Sequence, residues 1–498
     1  MTISTTRTNW VAIRRDRTSS ALDQCFAEGL TGHTVVKRDG KRLQLTDGTT
    51  VTEFVSCSYL GLESHPALAE AVVAATGVFG VHLSSSRNRM RPVYLPELED
   101  LLGQIYPGTT PCVFTSTSNV HLGVLPLLAS GSLPSYPIHG EPHFFIDRSA
   151  HASMQVLRGI FEQFGPVTRL RSAEPAVANE TWEREAAGRT PIVLVDGVQS
   201  MTGLTAVSEL ARRLRSSGGY LYVDDAHGIS IDGASGCGYA FNDFGGRLPD
   251  NVVLAGSLSK GFGGSGGFLL VSGPRDAAVV RKLANPLVFG HSVMVPMMAG
   301  NVASARLHLT AEIGTLQRRL WANAARLDEL TGGRLANTGL RSPIRGAAFA
   351  SEEEGLHAAR VLRSRGIVML PAFYPTVAHG TAFLRFAVSS LHTEDDIRLL
   401  SSTLDSVGGY GEDAVESHRR GIGVCGQTSR GRHHETGRAG PTVRRLALHH
   451  LPGRRPFLHL RRAVLHAVRG PRAGDVRRGA DRLLVGGGGA QRPGRSPG

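Results

Sequence analysis

The chain has 498 residues, 41% of them hydrophobic, which is too long for one ordinary domain and apolar enough for a sizeable core. Its formal charge of +13 invites a nucleic-acid reading, but residues 411–498 carry 18 arginines, no lysine and six acidic residues, a net of +12. The first 410 residues therefore carry only +1, which excludes a basic body and leaves nucleic acid as an expectation for the tail alone.

Five cysteines (Cys25, Cys57, Cys112, Cys237, Cys425) stand far apart with no CxxC pair. That spacing suggests neither a disulfide framework nor a zinc site and fits a reduced setting. The N-terminal MTISTTRTNWVAIRR lacks the apolar stretch of a signal peptide, and no 18-residue apolar run follows. A cytoplasmic protein without a membrane span is expected.

Residues 1–58 mix polar and short apolar segments, ending in VTEFVSCSYLGL, and read as an N-terminal arm. Over 59–290, short apolar runs (PHFFID, PIVLVDG, GYLYVDDAH, NVVLAGS, GGFLLVSG) alternate with helical patterns such as LPELEDLLGQIY and VSELARRLRSSG. Buried strands spaced by helices predict an α/β domain with a mostly parallel sheet covered on both faces. Residues 291–408 change to a long helical segment, AGNVASARLHLTAEIGTLQRRLWANAARLDEL, followed by the strands GIVML and AFLRFAVS, and predict a smaller α+β domain. The segment 409–498, with 18 arginines, seven histidines and much Gly and Pro, is expected to be largely disordered. It reads either as a basic stretch for nucleic acid or membrane, or as biased coding sequence with no selected function.

Lys260 is one of only four lysines, and it follows the apolar run NVVLAG and precedes GFGGSGG. A turn at the end of a sheet strand is where open α/β sheets bind ligands. A lysine there can form a Schiff base with an aldehyde cofactor, because glycines let a flat ring and its phosphate approach the backbone. An ordinary surface lysine before a flexible loop fits the same pattern. VDDAH places Asp224 and His227 at another strand end. A buried carboxylate facing a pyridine nitrogen would keep it protonated, and His227 would reach the ring's phenolic oxygen. The same Asp-x-x-His also suits half a metal site or a satisfied turn. FTSTSNVHLGVLPLLA runs from a strand into a helix, whose open N–H groups make a phosphate site with Thr117, Ser118 and Asn119 best placed, unless these residues simply cap the helix. His151, opening a helix in FFIDRSAHASMQVL, suits stacking on a flat cofactor, acid–base work or a structural role.

The order of these features is more specific than any one of them. SYLGLESHPAL, HLSSSRNRM with LPELEDLL, DRSAHAS, VDGVQSMTG, VDDAHGIS, SLSKGFGGSGG and GTAFLRFAVSSLHTEDDI follow one another over residues 50–407. This layout resembles the α-oxoamine synthase family of fold type I pyridoxal-phosphate enzymes, in the aminotransferase class I/II superfamily. The resemblance implies pyridoxal 5'-phosphate bound through Lys260, which would also act as general base and acid. It implies Asp224 on the pyridine nitrogen, His227 and Ser200 near the phenolic oxygen, and His151 on the ring face. Ser257, Thr117, Ser118 and Asn119 would lie near the phosphate, with Arg385 and Arg87 toward the substrate. The implied reaction is decarboxylative condensation of an amino acid with an acyl thioester, carried by CoA or an acyl carrier protein, in a homodimer. An aminotransferase using the same lysine is the rival expectation, and tail-mediated nucleic-acid or membrane association is the rival of another class. Thr117 and Ser118 stand where the family has Gly-Tyr or Gly-Phe, and FGHSVMVPMM follows its later Phe-Ser-Thr segment only loosely.

Overall fold

Three sheets organise the chain, of which the computed structural model describes residues 18–411 apart from 19 and 173. The central one has seven strands: β4 (Thr110–Phe114), β5 (Pro142–Asp147), β6 (Val167–Leu170), β7 (Thr190–Asp196), β8 (Tyr220–Asp224), β9 (Val252–Ser257) and β10 (Gly267–Val271). Before them come β1 (Val35–Asp39), β2 (Arg42–Leu45) and β3 (Thr50–Glu53), and after them β11 (Ile344–Phe349), β12 (Ile367–Val368), β13 (Leu370–Ala372) and β14 (Ala382–Ala387).

The central order is β4-β10-β9-β8-β7-β5-β6, parallel throughout except for β10, which runs antiparallel to both of its neighbours. Its strands are apolar on both faces because helices cover both. Val193, Val195, Leu221 and Val223 pack on one side with Leu98 and Leu210 from helices Tyr94–Ile105 and Val207–Ser216. The alternate residues Ile192, Leu194 and Tyr222 pack on the other with Val120 and Val124 of helix Thr117–Ala129. This two-residue alternation is what a strand buried between two helical layers requires.

The long helical pattern after residue 298 is two helices, Val295–His308 and Ala311–Leu330. Thr310 separates them, its side chain accepting the Glu312 N–H as the cap of the second helix. The remaining sheets tie the two ends of the described chain together. β3 pairs in parallel with β12, and Phe54 exchanges backbone hydrogen bonds with Val368 and Ala387. Ala21, Cys25, Phe54 and Tyr59 consequently share a core with Phe373, Leu384 and Leu400. The antiparallel trio β11-β14-β13 completes this region. Among the described residues no helix is long and apolar enough to cross a membrane, and no group of His, Cys, Asp and Glu is arranged to hold a metal. The Arg-rich tail lies outside the described residues.

Candidate active site

Parallel strands bring their carboxyl ends to one edge, and there Asp196, Asp224 and Ser257 are the last residues of β7, β8 and β9. Asp224 is buried; its Oδ1 accepts the Ala226 N–H at 2.9 Å, closing the turn toward His227, and its Oδ2 lies 3.0 Å from His121 Nε2. Burial pushes this carboxyl up, but the His121 hydrogen bond, the charge of Lys260 and the Ala226 N–H hold it below the usual carboxylate range. Asp196, its register partner on β7, behaves oppositely: burial and the neighbouring Asp224 charge raise it well above that range.

His227 is buried with Nδ1 2.6 Å from the Tyr59 hydroxyl. Burial first, then the charges of Lys260 and Arg385, hold it neutral. Lys260 lies three residues past β9, and burial lowers its pKa while Cys57, Asp224 and Asp196 act to raise it. Arg385, on β14, donates from Nη1 to the Ser200 carbonyl at 3.1 Å and places Nη2 3.8 Å from Cys57 Sγ; its Nε is buried with no partner. His151 caps helix Ala152–Gln155, with Nδ1 2.7 Å from Ser153 Oγ, and its backbone N–H reaches Asp196 Oδ1 at 3.0 Å. Desolvation, Lys260 and Arg385 lower its pKa against the pull of Asp224, so its ring sits in the same field.

Ser116 caps helix Thr117–Ala129 by accepting the Asn119 N–H at 3.2 Å, which leaves the N–H groups of Thr117 and Ser118 at the open helix start. Ser257 Oγ accepts the Ser259 N–H at 3.1 Å and shapes the turn that leads to Lys260. Two expected residues stand apart. Asn119 gives its backbone N–H to the cap and its side-chain amide to Thr115 Oγ1 at 2.6 Å. Arg87 is buried against the Val113 carbonyl at 2.6 Å and Glu99 at 2.8 Å, where it joins a strand to a helix. In this structure both side chains hydrogen-bond to neighbours within the fold, Arg87 buried and Asn119 half-buried.

Four members of the cluster, His121, Asp196, Tyr59 and Cys57, are not among the residues expected from sequence. IVLVD and YLYVD end alike, which carries a signal for Asp196, and Tyr59 lies inside a motif of the resemblance. His121 on an apolar helix face gives none.

The fold is that of fold type I pyridoxal-phosphate transferases. A family model described as aminotransferase class I and II matches residues 170–404. The 8-amino-7-oxononanoate synthase of Methylococcus capsulatus is 30% identical over 369 residues, 72% of this chain and 90% of its own. The serine palmitoyltransferase of Caulobacter vibrioides is 30% identical over 373 residues, 73% of this chain and 87% of its own. Among solved structures, the serine palmitoyltransferase of Sphingomonas wittichii superposes with a TM-score of 0.70 at 22% identity, covering 78% of this chain and 96% of its own. The chain belongs to the α-oxoamine synthase family, and is a pyridoxal-phosphate-dependent acyltransferase. The residues present fit that cofactor: an amine with a lowered pKa, an ionised buried carboxylate and an open helix start converge on one edge of the sheet.

Proposed function

We propose that this chain condenses an amino acid with an acyl thioester, releasing a thiol and carbon dioxide and forming an α-amino ketone. The convergence of Lys260, Asp224, His227 and Arg385 carries the reading, in a chain similar to two kinds of α-oxoamine synthase. When bound, pyridoxal phosphate supplies the electron sink that makes the amino acid's α-carbon nucleophilic.

Lys260 would hold the cofactor through its Nζ and would serve as the base for the α-proton; its lowered pKa favours the neutral amine that both tasks need. Asp224, held ionised, would keep a proton on the ring nitrogen. With Tyr59 O–H donating to Nδ1, His227 keeps its proton on Nε2 and offers it to the phenolic oxygen, with Ser200 nearby. His151 would cover the ring face, and Thr117 and Ser118, with Ser257, would hold the phosphate. Arg385 binds the amino acid's carboxylate, its guanidinium already oriented by the Ser200 carbonyl. The enzyme works in this reading as a cytoplasmic homodimer.

Thiol release, followed with purified protein, pyridoxal phosphate, a panel of amino acids, and acyl groups carried on CoA or on an acyl carrier protein, tests the proposal and identifies the donor. Release that requires one amino acid and one acyl chain is expected. Accumulation of a 2-oxo acid without thiol release would replace it with an aminotransferase. Lys260→Ala is expected to lose both covalent cofactor attachment and turnover; an active variant that still holds the cofactor covalently would remove Lys260 from its role.

A further inference from the structure

His121 is fully buried on helix Thr117–Ala129, and both of its ring nitrogens are engaged. Nε2 lies 3.0 Å from Asp224 Oδ2 and Nδ1 lies 2.8 Å from the Tyr222 hydroxyl. Tyr222 and Asp224 are two apart on β8, so the pleat turns both toward the same helix and one imidazole spans them. Burial and the Asp224 charge keep the Tyr222 phenol protonated. The ionised Asp224 can only accept, so His121 donates to it from Nε2, and in the neutral imidazole Nδ1 then accepts from the Tyr222 hydroxyl.

The neighbouring strand places a second carboxyl level with the first, since Asp196 and Asp224 are register partners. Both are buried, and two carboxylates side by side in a dry site cannot both ionise without cost. Their surroundings are unequal. Among the described residues, the Asp196 carboxyl receives one backbone N–H, from His151 at 3.0 Å. Asp224 receives the Ala226 N–H at 2.9 Å and, in addition, the His121 donor. Of the other charged groups around the pair, Lys260 lowers both carboxyls, and Asp147 adds a like charge that raises Asp196 further. Among the described residues, His121 is the one side-chain hydrogen-bond donor to either carboxyl, and it belongs to Asp224.

We propose that His121 is the positioning residue that keeps the single negative charge of the Asp196–Asp224 pair on Asp224, and thereby holds the proton on the cofactor's ring nitrogen. It rests on the reading that Asp224 faces that nitrogen. A donor to the carboxylate stabilises its charged form, so the proton shared between carboxylate and pyridine stays on the pyridine. Without the donor, the proton returns toward Asp224, and Asp196 competes for the charge.

The test is the ¹⁵N signal of ring-labelled pyridoxal phosphate bound to the full chain, measured with the cofactor dissociation constant. The wild type is expected at the pyridinium position. His121→Phe is expected to move the signal toward neutral pyridine and to weaken binding at least tenfold. His121→Gln, whose amide restores an N–H donor, is expected to recover both. Adding Asp196→Asn to His121→Phe is expected to return part of the signal and affinity, since the competing carboxyl is gone; a merely structural histidine gives equal losses in both backgrounds. If His121→Phe does not fold, Tyr222→Phe removes only the hydroxyl that orients Nδ1 and is expected to move the signal in the same direction by less. An unmoved signal in every His121 and Tyr222 variant that binds the cofactor overturns the proposal. Asp224→Asn separates the two levels: if it moves the signal and the His121 and Tyr222 variants do not, only the role of His121 fails, and if it too leaves the signal in place, the reading of Asp224 fails.

Discussion

A guanidinium is flat and presents a fixed fork of donors, whereas an ammonium is a compact point charge. Arg385 is oriented by the Ser200 carbonyl and Cys57, so Arg385→Lys keeps the charge and loses the fork. The expected result is a KM for the amino acid raised roughly tenfold or more, about 1.4 kcal/mol, with the KM for the acyl donor little changed. Steady-state kinetics with each substrate varied in turn measures it, and equal changes in both constants would place Arg385 elsewhere. Lys260, Asp224 and His227 were legible at this scale because each follows an apolar run that ends at the ligand edge of the sheet. His121 was not, since a histidine among Val120, Leu122 and Val124 reads as core until Tyr222 and Asp224 are brought against it.

Two elements meet closely where β10 begins. A Cβ on Gly267 would lie 2.5 Å from the Thr117 backbone N and 2.7 Å from the Ser116 carbonyl carbon, closer than side chains approach backbone. Gly267→Ala must therefore push the start of helix Thr117–Ala129 outward, and cofactor affinity is expected to fall at least tenfold, read by titrating the apo-protein. An unchanged affinity would separate that helix start from the phosphate. Two buried histidines make a second prediction between elements. His392 accepts the Ser389 N–H on Nδ1 and reaches the Glu53 carbonyl with Nε2, while His308 bridges Ser230 and the Ser304 carbonyl. His392 must be neutral to accept the Ser389 N–H, and burial pushes the pKa of each histidine down to about 4. The unfolded chain takes up these protons first as pH falls through about 6.5, so their stabilisation is whole above that value and declines toward pH 4. A loss of about 2 kcal/mol per histidine by pH 5 is expected in urea unfolding, with His392→Gln flattening the slope. A stability that is level from pH 7 to 5 would contradict it.

At the scale of the molecule, one group of exposed apolar side chains lies close together: Val78 on helix Pro66–Phe79 and Val81 just after it are exposed, and the Val295 N–H bonds the Val81 carbonyl, bringing the exposed Met294 alongside. Such a surface supports the proposed homodimer. Light scattering at micromolar concentration is expected to give twice the chain mass, with Val78→Glu and Val81→Glu together shifting it toward monomer; a monomeric wild type would refute the assembly. The amino-acid sequence by itself determined the alternation of buried strands and helices, and hence a mostly parallel sheet with its ligand edge at the carboxyl ends, because side-chain periodicity is local. It also determined the order of the cofactor motifs. Only the tertiary structure decided that the N-terminal arm shares a core with the C-terminal region, through pairing of β3 with β12 across more than 300 residues. It alone placed His121 on Asp224, set Asp196 beside it, and buried Arg87 against Glu99. Hydrogen bonds and charge fields act through space, and no spacing along the chain records which distant groups the fold will bring within reach.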